Sequence, residues 1–306
     1  MNNKKIRIGT RNSDLALWQA NYIKSELQKL GHDSDLIEIN TKGDQETTVP
    51  LYEFGVTGIF TKSLDIALLE NRIDLAVHSM KDVPVVLPQG ISEFAIPKRG
   101  LVHDVLVYKG NWDAILNKGQ RTIATSSLRR KAQWLNHFAK DTMTGIRGNV
   151  NTRLAKLQNE NWDGAIFAEA GLKRIEKLPP NSERLEWMIP AAAQGALLVV
   201  GKTENKTLQN ILAPLTDTLT QMEVHIERQF MHQLNAGCTA PVGAIAKVSE
   251  RGIKFKGVVT ALDGSKQIEV EESCSIHDYN QLGTVCARQI LKNGADRILA
   301  EIQQKN

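Results

Sequence analysis

The sequence predicts an α/β protein of three domains, two similarly built α/β domains and a smaller α+β domain at the carboxyl end. The first observation is the length, because 306 residues exceed the roughly 100 to 200 residues of a usual single domain. The second is the alternation of short apolar runs with helical periods from the amino end onward. The third is a change of pattern after about residue 218, where a helix precedes strand-like runs and a hairpin signal.

The α/β pattern occurs in two cycles. Strand-like and helical segments of the first cycle alternate at 6–9, 14–30, 35–40, 62–71 and 75–78. Those of the second cycle alternate at 122–125, 128–138, 145–148 with 150–159, and 165–168, which leads into a loop. Both cycles start with a strand-to-helix turn that has a serine, Ser13 or Ser127, in the N-cap position. The repetition predicts domain 1 at 1–96 with 194–217 and domain 2 at 97–193, with segment 190–200 crossing back between them.

The third domain is predicted at 218–306. Its expected elements are a helix at 221–233, strands at 242–248, 254–259 and 267–272, and a final helix or two at 279–301. Asp263 and Gly264 form a hairpin signal between the last two strands. The loop after the first helix contains Gly237 and Cys238.

Composition and charge argue against a nucleic-acid or membrane protein. The formal net charge is +4 and 5% of residues are aromatic, so a general phosphate-binding surface and base-stacking platforms both lack support. The amino end has no apolar core of a signal peptide, and no apolar run is long enough to cross a membrane. The three cysteines form no C-x-x-C pair, which fits a reducing compartment. We therefore expect a cytoplasmic monomer without a nucleic-acid or membrane partner.

Basic side chains closely follow the predicted strands or open the next helix. They are Arg11, Lys81, Arg129, Arg130, Arg147, Arg153 and Arg174. A single arginine in a first helical turn is more often a solvated surface charge. Positive side chains there oppose the helix dipole, however, and a bound anion offsets that cost. The set as a whole predicts a site for a polyanion at the carboxyl ends of the strands.

Asp82 follows Lys81 just after the strand at 75–78. A carboxylate at this place can move protons or stabilise a cation. Taken alone, Asp82 fits helix capping or an ion pair with Lys81 better. The residues by themselves leave both interpretations open.

Cys238 lies in a loop between Gly237 and Pro241, which restrict the backbone. Free cysteines usually serve as small apolar residues, and Cys274 and Cys286 fit that role. A loop cysteine fits it less well, so a covalent role for Cys238 stands beside the structural one. No histidine or cysteine cluster has metal-ligand spacing, and no G-x-G-x-x-G or G-x-x-x-x-G-K-[ST] segment is present, so we expect no metal and no nucleotide.

Several long segments together resemble the porphobilinogen deaminase family, also called hydroxymethylbilane synthases. In chain order they are 9–13, 15–19, 76–84, 125–130, 147–153, 170–174, 194–195 and 237–241. The resemblance implies two domains like those of periplasmic binding proteins with an active-site cleft between them, and a third domain. It also implies the joining of four porphobilinogen molecules head to tail, with loss of ammonia, into a linear tetrapyrrole of heme biosynthesis. The family's cofactor is dipyrromethane, held by a thioether that carries over to Cys238.

The resemblance also gives the candidate residues their expected roles. Asp82 is expected to assist loss of ammonia, to stabilise the azafulvene cation and to help remove the final proton. The residues expected to hold cofactor carboxylates are Lys81, Thr125, Ser126, Ser127, Arg129 and Arg130. Those expected to hold incoming or elongated pyrroles are Arg11, Ser13, Gln19, Arg147, Arg153 and Arg174. The pyrroles carry acetate and propionate groups, which explains the number of arginines.

The chain departs from the family pattern at a few positions. We interpret the segment 55–58 as a flexible lid. Thr57, within it, replaces a lysine, and Ser63, after it, replaces a glutamate. Residues 101–103, the last of which is His103, replace the middle of the family's acidic-Asp-Pro-Arg-Asp run. Ala193 replaces a glycine, and Lys202 replaces an arginine. The main alternative function is a non-catalytic, two-lobed carboxylate-binding protein, from which Cys238 and Asp82 distinguish the enzyme.

Overall fold

The computed structural model describes residues 5–40, 61–237 and 240–304. In these residues the strands are, in chain order, β1 Ile6–Thr10, β2 Ser34–Glu38, β3 Leu75–Ser79, β4 Ile91–Ala95, β5 Asp104–Tyr108, β6 Thr122–Ala124, β7 Thr142–Thr144, β8 Gly164–Ala168, β9 Ser182–Arg184, β10 Leu197–Lys202, β11 Val242–Ser249, β12 Gly252–Thr260 and β13 Gln267–Cys274. The α-helices are α1 Asp14–Lys29, α2 Lys62–Leu69, α3 Trp112–Leu116, α4 Leu128–His137, α5 Val150–Asn159, α6 Glu169–Arg174, α7 Lys206–Leu212, α8 Thr218–Gln233, α9 Leu282–Ile290 and α10 Asp296–Gln304.

The chain forms two compact units. The described residues of the first are 5–40, 61–100 and 195–221, and those of the second are 101–194, 222–237 and 240–304. The first unit contains a five-stranded sheet in the order β2-β1-β3-β10-β4. Strands β2, β1 and β3 are parallel, and β10 runs antiparallel to both of its neighbours.

The second unit contains a sheet of the same design. Its order is β7-β6-β8-β5-β9, with β7, β6 and β8 parallel and β5 antiparallel to β8 and β9. In both sheets, therefore, three parallel strands are followed by an antiparallel strand. The predicted pair of similarly built α/β domains is confirmed.

A separate three-stranded antiparallel sheet, β11-β12-β13, completes the second unit. The predicted hairpin joins β12 to β13, and Gly264 adopts φ +75°, a conformation that costs glycine little. The final helical segment is two α-helices, α9 and α10, separated by a kink at Gly294 with φ +101°. This sheet with its helices is the predicted α+β part, so the predicted fold class is confirmed.

Three details of the sequence prediction were wrong. The strand-like segment expected at 145–148 is not a strand, since the strand of that cycle, β7, ends before it at Thr144. The strand at 164–168 runs into helix α6 and not into a loop. The N-cap of α6, Ala168, makes no side-chain cap bond, so no capping residue marks the start of this helix. Helix α8 starts at Thr218 and not at residue 221. Asp217 accounts for the earlier start, because its carboxylate accepts hydrogen bonds from the backbone N–H and hydroxyl of Thr220 at 2.8 and 2.6 Å.

The two described cysteines are held in different surroundings. Cys286 is fully buried in α9, where burial raises the pKa of its thiol to about 12. Cys274 ends β13 half-buried, and burial again raises its thiol pKa. Cys286 thus fits the predicted small apolar role. No helix among the described residues is long and apolar enough to span a membrane.

Candidate active site

Candidate residues of the first unit gather at one edge of its sheet. Strands β1 and β3 are parallel neighbours, so their carboxyl ends lie together. Arg11 and Ser13 follow β1, and Lys81 and Asp82 form a single 3₁₀ turn, Met80–Asp82, directly after β3. Asp82 is exposed, so its carboxylate is accessible to a ligand. The structure therefore brings these predicted residues of the first unit to the same edge.

Gln19 and Ser13, the other two candidates of the first unit, make hydrogen bonds at helix α1. The Gln19 side chain is buried, and its Nε2 donates to Ser79 Oγ at 2.7 Å, at the end of β3. Ser13 is the N-cap of α1, as predicted, and its Oγ accepts from the backbone N–H of Ala16 at 3.4 Å. Gln19 thus fixes α1 relative to the strand that leads to Asp82, and Ser13 fixes the start of the helix.

His78, one residue before the end of β3, is a member of this edge that sequence reasoning did not select. Its side chain is 7% exposed, and Nε2 has no hydrogen-bond partner within the described part of the chain. Burial, assisted by the positive charge of Arg11, lowers the pKa of the imidazole to about 4. His78 is therefore uncharged at neutral pH.

Candidate residues of the second unit gather at the corresponding edge of its own sheet. The parallel strands β7, β6 and β8 end side by side. Thr125, Ser126 and Ser127 follow β6. Arg147 follows β7, Arg153 lies in the first turns of α5, and Arg174 ends α6, the helix that follows β8.

Local hydrogen bonds hold the loops of this second edge. Ser126 Oγ donates to the carbonyl of Ile146 at 2.7 Å and accepts from its N–H at 3.0 Å, which ties the β6 loop to the β7 loop. Ser127 is the N-cap of α4, as predicted, and accepts from the backbone N–H of Arg130. The Nε of Arg153 donates to the carbonyl of Gly148 at 2.8 Å. The loops that present the hydroxyl and guanidinium groups are therefore preorganised.

Arg129 and Arg130 differ from the other candidate arginines because they are buried, with 4% and 6% exposure. Both bind the fully buried carboxylate of Asp104 at 2.7 Å. Arg129 Nη1 also donates to the carbonyl of Ile189, and Arg130 Nη1 donates to the carbonyl of Ile166, each at 2.9 Å. The carboxylate of Asp104 thus offsets part of the positive charge of these two arginines at the start of α4. That the two also hold cofactor carboxylates stays a prediction.

Replacing Asp104 by asparagine is expected to destabilise the fold by about 3–5 kcal/mol, because two buried guanidinium groups lose their shared counter-charge. The free energy of unfolding, measured by urea denaturation, checks the prediction. The exposed Asp113 provides the matched control, since D113N is expected to change stability by less than about 0.5 kcal/mol. Equal stabilities of the two variants would contradict the assigned role of Asp104.

Ala193 adopts a backbone conformation that favours glycine. Its φ is +60°, in the left-handed region that glycine enters at little cost. The backbone N–H of Ala193 donates to the fully buried carboxylate of Glu227 at 2.6 Å, and the other oxygen accepts from Ala246 N–H at 2.8 Å. Glu227, on α8, therefore ties the segment before residue 194 to β11 and supports the unusual backbone of Ala193.

Substituting Glu227 with glutamine is expected to cost about 2–3 kcal/mol of unfolding free energy, because the amide NH₂ then faces a backbone N–H that has lost its acceptor. Thermal unfolding of E227Q beside E250Q, a change at an exposed glutamate, measures this cost. A melting temperature of E227Q equal to that of E250Q would show that the two backbone N–H groups do not depend on the charge.

The remaining predicted positions have varied surroundings. Lys202 pairs with Glu204 at 2.7 Å and donates to Asn71 Oδ1 at 3.1 Å. Ser63 lines a surface pocket beside α2, and the carbonyl of His103 accepts from the N–H of Glu169 at 3.1 Å. Thr57, the segment 55–58 and Cys238 lie outside the described residues. Within the described ranges, no group of three or more His, Cys, Asp or Glu side chains is arranged to hold a metal ion.

Comparison with known families identifies two matching models. The model described as porphobilinogen deaminase, dipyrromethane cofactor-binding domain, matches residues 6–210. The model described as porphobilinogen deaminase, C-terminal domain, matches residues 221–292. Together the matches include both units and every candidate site residue named above.

Curated relatives and solved structures were also compared. The porphobilinogen deaminases of Syntrophotalea carbinolica and Geobacter metallireducens are 42% and 39% identical to this chain, over 99% of its length and 97% and 96% of theirs. That of Maridesulfovibrio salexigens is 39% identical over 99% of each chain. An arginine-specific periplasmic binding protein of Salmonella typhimurium is 14% identical, with a TM-score of 0.40 over 71% of this chain and 94% of that one.

Proposed function

The chain belongs to the porphobilinogen deaminase family, and we propose that the residues at the carboxyl ends of its parallel strands carry out that family's reaction. The enzyme is a transferase that joins four porphobilinogen molecules head to tail, with loss of ammonia, into hydroxymethylbilane. Its cofactor is dipyrromethane, which supplies the pyrrole carbon to which the first substrate is joined. The family match across nearly the whole chain carries this conclusion.

The donor groups of the second unit suit a cofactor that carries carboxylates. Arg129 and Arg130 share Asp104, so these three buried side chains together have a net positive charge. The hydroxyls of Thr125, Ser126 and Ser127 lie in the loop directly before them. Guanidinium groups and hydroxyls bind carboxylates through charge-assisted hydrogen bonds. These observations support the proposal that this loop and helix start hold the cofactor.

The proposed roles follow the expectations from the sequence. Cys238 carries the cofactor through its sulfur. The groups that bind cofactor carboxylates are Lys81, Thr125, Ser126, Ser127, Arg129 and Arg130. The groups that bind the incoming and elongated pyrroles are Arg11, Ser13, Gln19, Arg147, Arg153 and Arg174. Ser13 and Gln19 contribute chiefly by fixing α1 and the end of β3, since their side chains are buried and engaged there.

Asp82 is the proposed catalytic residue. Its exposed carboxylate can accept a hydrogen bond from the N–H of the substrate pyrrole. A negative charge there stabilises the positive charge that develops on the pyrrole as the C–N bond breaks and ammonia leaves. After the new carbon–carbon bond has formed, the same carboxylate can receive the proton that the attacked pyrrole carbon loses, and loss of this proton restores the aromatic ring.

The proposal includes the location, oligomeric state and domain division of the protein. We propose that it acts as a cytoplasmic monomer, without a nucleic-acid or membrane partner. Its domains are 1–96 with 194–217, 97–193, and 218–306 with Cys238. Three separate sheets, one in each proposed domain, support this division. The alternative, a non-catalytic carboxylate-binding protein, does not account for the family match.

The deciding experiment supplies porphobilinogen to the purified holoenzyme. We expect ammonia and a linear tetrapyrrole to form in a ratio of about four to one, as the stoichiometry of the reaction requires. Calorimetric titration of the same preparation distinguishes the alternative function. Binding of porphobilinogen without release of ammonia would refute the enzyme and support the binding protein.

A further inference from the structure

His78 and Ser34 share an unusual property. Within the described ranges, His78 Nε2 and Ser34 Oγ are the buried side-chain atoms without a hydrogen-bond partner. Buried polar groups in folded proteins are nearly always hydrogen-bonded, because burial without a partner is costly. Each of the two therefore requires an explanation.

The two atoms lie at opposite edges of the sheet in the first unit. Ser34 begins β2 and pairs with Ile6 at the start of β1, so it lies at the amino edge, away from the candidate residues. His78 is the penultimate residue of β3, at the carboxyl edge with Arg11, Lys81 and Asp82. A ligand bound by those residues would therefore lie near His78 and far from Ser34.

The strand register places His78 beside Arg11. Gly9 of β1 is opposite Ala76 of β3. Extended by two residues, this register brings Arg11, just after β1, beside His78 on the same face. The two side chains are close enough for the positive charge of Arg11 to help lower the pKa of the His78 imidazole. A cation and an uncharged ring nitrogen are thus adjacent at the edge where the substrate is proposed to bind.

We propose that His78 is a further substrate-binding residue, whose ring donates its Nε2–H to a carboxylate of the pyrrole substrate that Arg11 also binds. A carboxylate has about four acceptor sites on its two oxygens, so a guanidinium does not use all of them. A second cation beside Arg11 would repel it in the free enzyme, whereas a neutral donor adds a hydrogen bond without that repulsion. This inference rests on the proposed function and deepens it.

Steady-state kinetics of His78 variants test the proposal. In H78L the donor is lost, and KM for porphobilinogen is expected to rise about tenfold with kcat within about twofold, the size of one hydrogen bond to a charged group. In H78Q the amide N–H takes the place of Nε2–H, and KM is expected to stay within about threefold of the wild-type value. The matched control is S34A, which removes the other unpartnered atom and is expected to leave KM unchanged.

The outcomes separate this inference from the proposed function. A wild type that does not consume porphobilinogen refutes the function. An active wild type with an H78L variant of unchanged KM, or an H78Q variant as impaired as H78L, overturns the role of His78 alone.

Nitrogen-15 NMR of the wild-type holoenzyme gives a result that does not depend on whether the variants fold. The ring signals of His78 are assigned by their correlation with its Cβ. Porphobilinogen is then supplied continuously in excess, because the active enzyme consumes it. We expect the Nε2–H proton to become protected from solvent exchange and its nitrogen signal to shift. An unchanged signal at saturation overturns the proposal.

Discussion

Replacing Asp82 with alanine is expected to lower the turnover of porphobilinogen by about 10²- to 10⁴-fold, the usual contribution of a positioned acid or base. The carboxylate is needed twice, first to stabilise the charge on the pyrrole as ammonia leaves and then to receive a proton. Binding of substrate relies on the basic side chains around it, so KM is expected to change far less than kcat. Steady-state kinetics of D82A and of D82N, which keeps the shape and removes the charge, measure both quantities.

A structural explanation for such a loss can be tested in the same proteins. Asp82 is exposed in a single 3₁₀ turn, so both variants are expected to keep the wild-type unfolding free energy within about 0.5 kcal/mol. The control is D33N, at an exposed aspartate just before β2, with unchanged turnover expected. Near-normal turnover in D82A would show that another group moves the proton.

The sequence predicted best what is encoded locally. Ser13 and Ser127 cap α1 and α4 as expected, because an N-cap depends on a few consecutive residues. The alternation of strands and helices also predicted which loops would share a sheet edge. Once β1 and β3 are parallel neighbours, the residues that follow them must lie together, and Arg11 and Asp82 follow from that rule.

Contacts between distant parts of the chain were not predictable in the same way. Asp104 and Arg129 are far apart in sequence, and only the folded sheet shows that the arginine charge is turned inward toward a buried carboxylate. His78 lies within an apolar strand whose sequence pattern is typical of a buried core strand. That its ring nitrogen has no hydrogen-bond partner becomes evident only from the folded structure. Glu227 and Ala193 are coupled by backbone geometry, which no residue pattern specifies.

Cys238→Ser is expected to abolish both the covalent cofactor and turnover. A thiol has an ordinary pKa of about 8.5 and provides a thiolate nucleophile near neutral pH, whereas a serine hydroxyl does not without an activating base. Protein purified from a host that makes porphobilinogen is expected to be heavier than the bare chain by one dipyrromethane. In C238S, intact-mass spectrometry should give the mass of the bare chain.

The other two cysteines provide the controls. Burial raises the thiol pKa of both Cys274 and Cys286, the latter to about 12, so neither forms a reactive thiolate at neutral pH. The variants C274S and C286A are therefore expected to keep the added mass and the activity. If C238S still carried the added mass, or if the folded wild type carried none, the attachment of the cofactor to Cys238 would be refuted. Persistence of the mass in C238S together with its loss in C274S would place the thioether on β13.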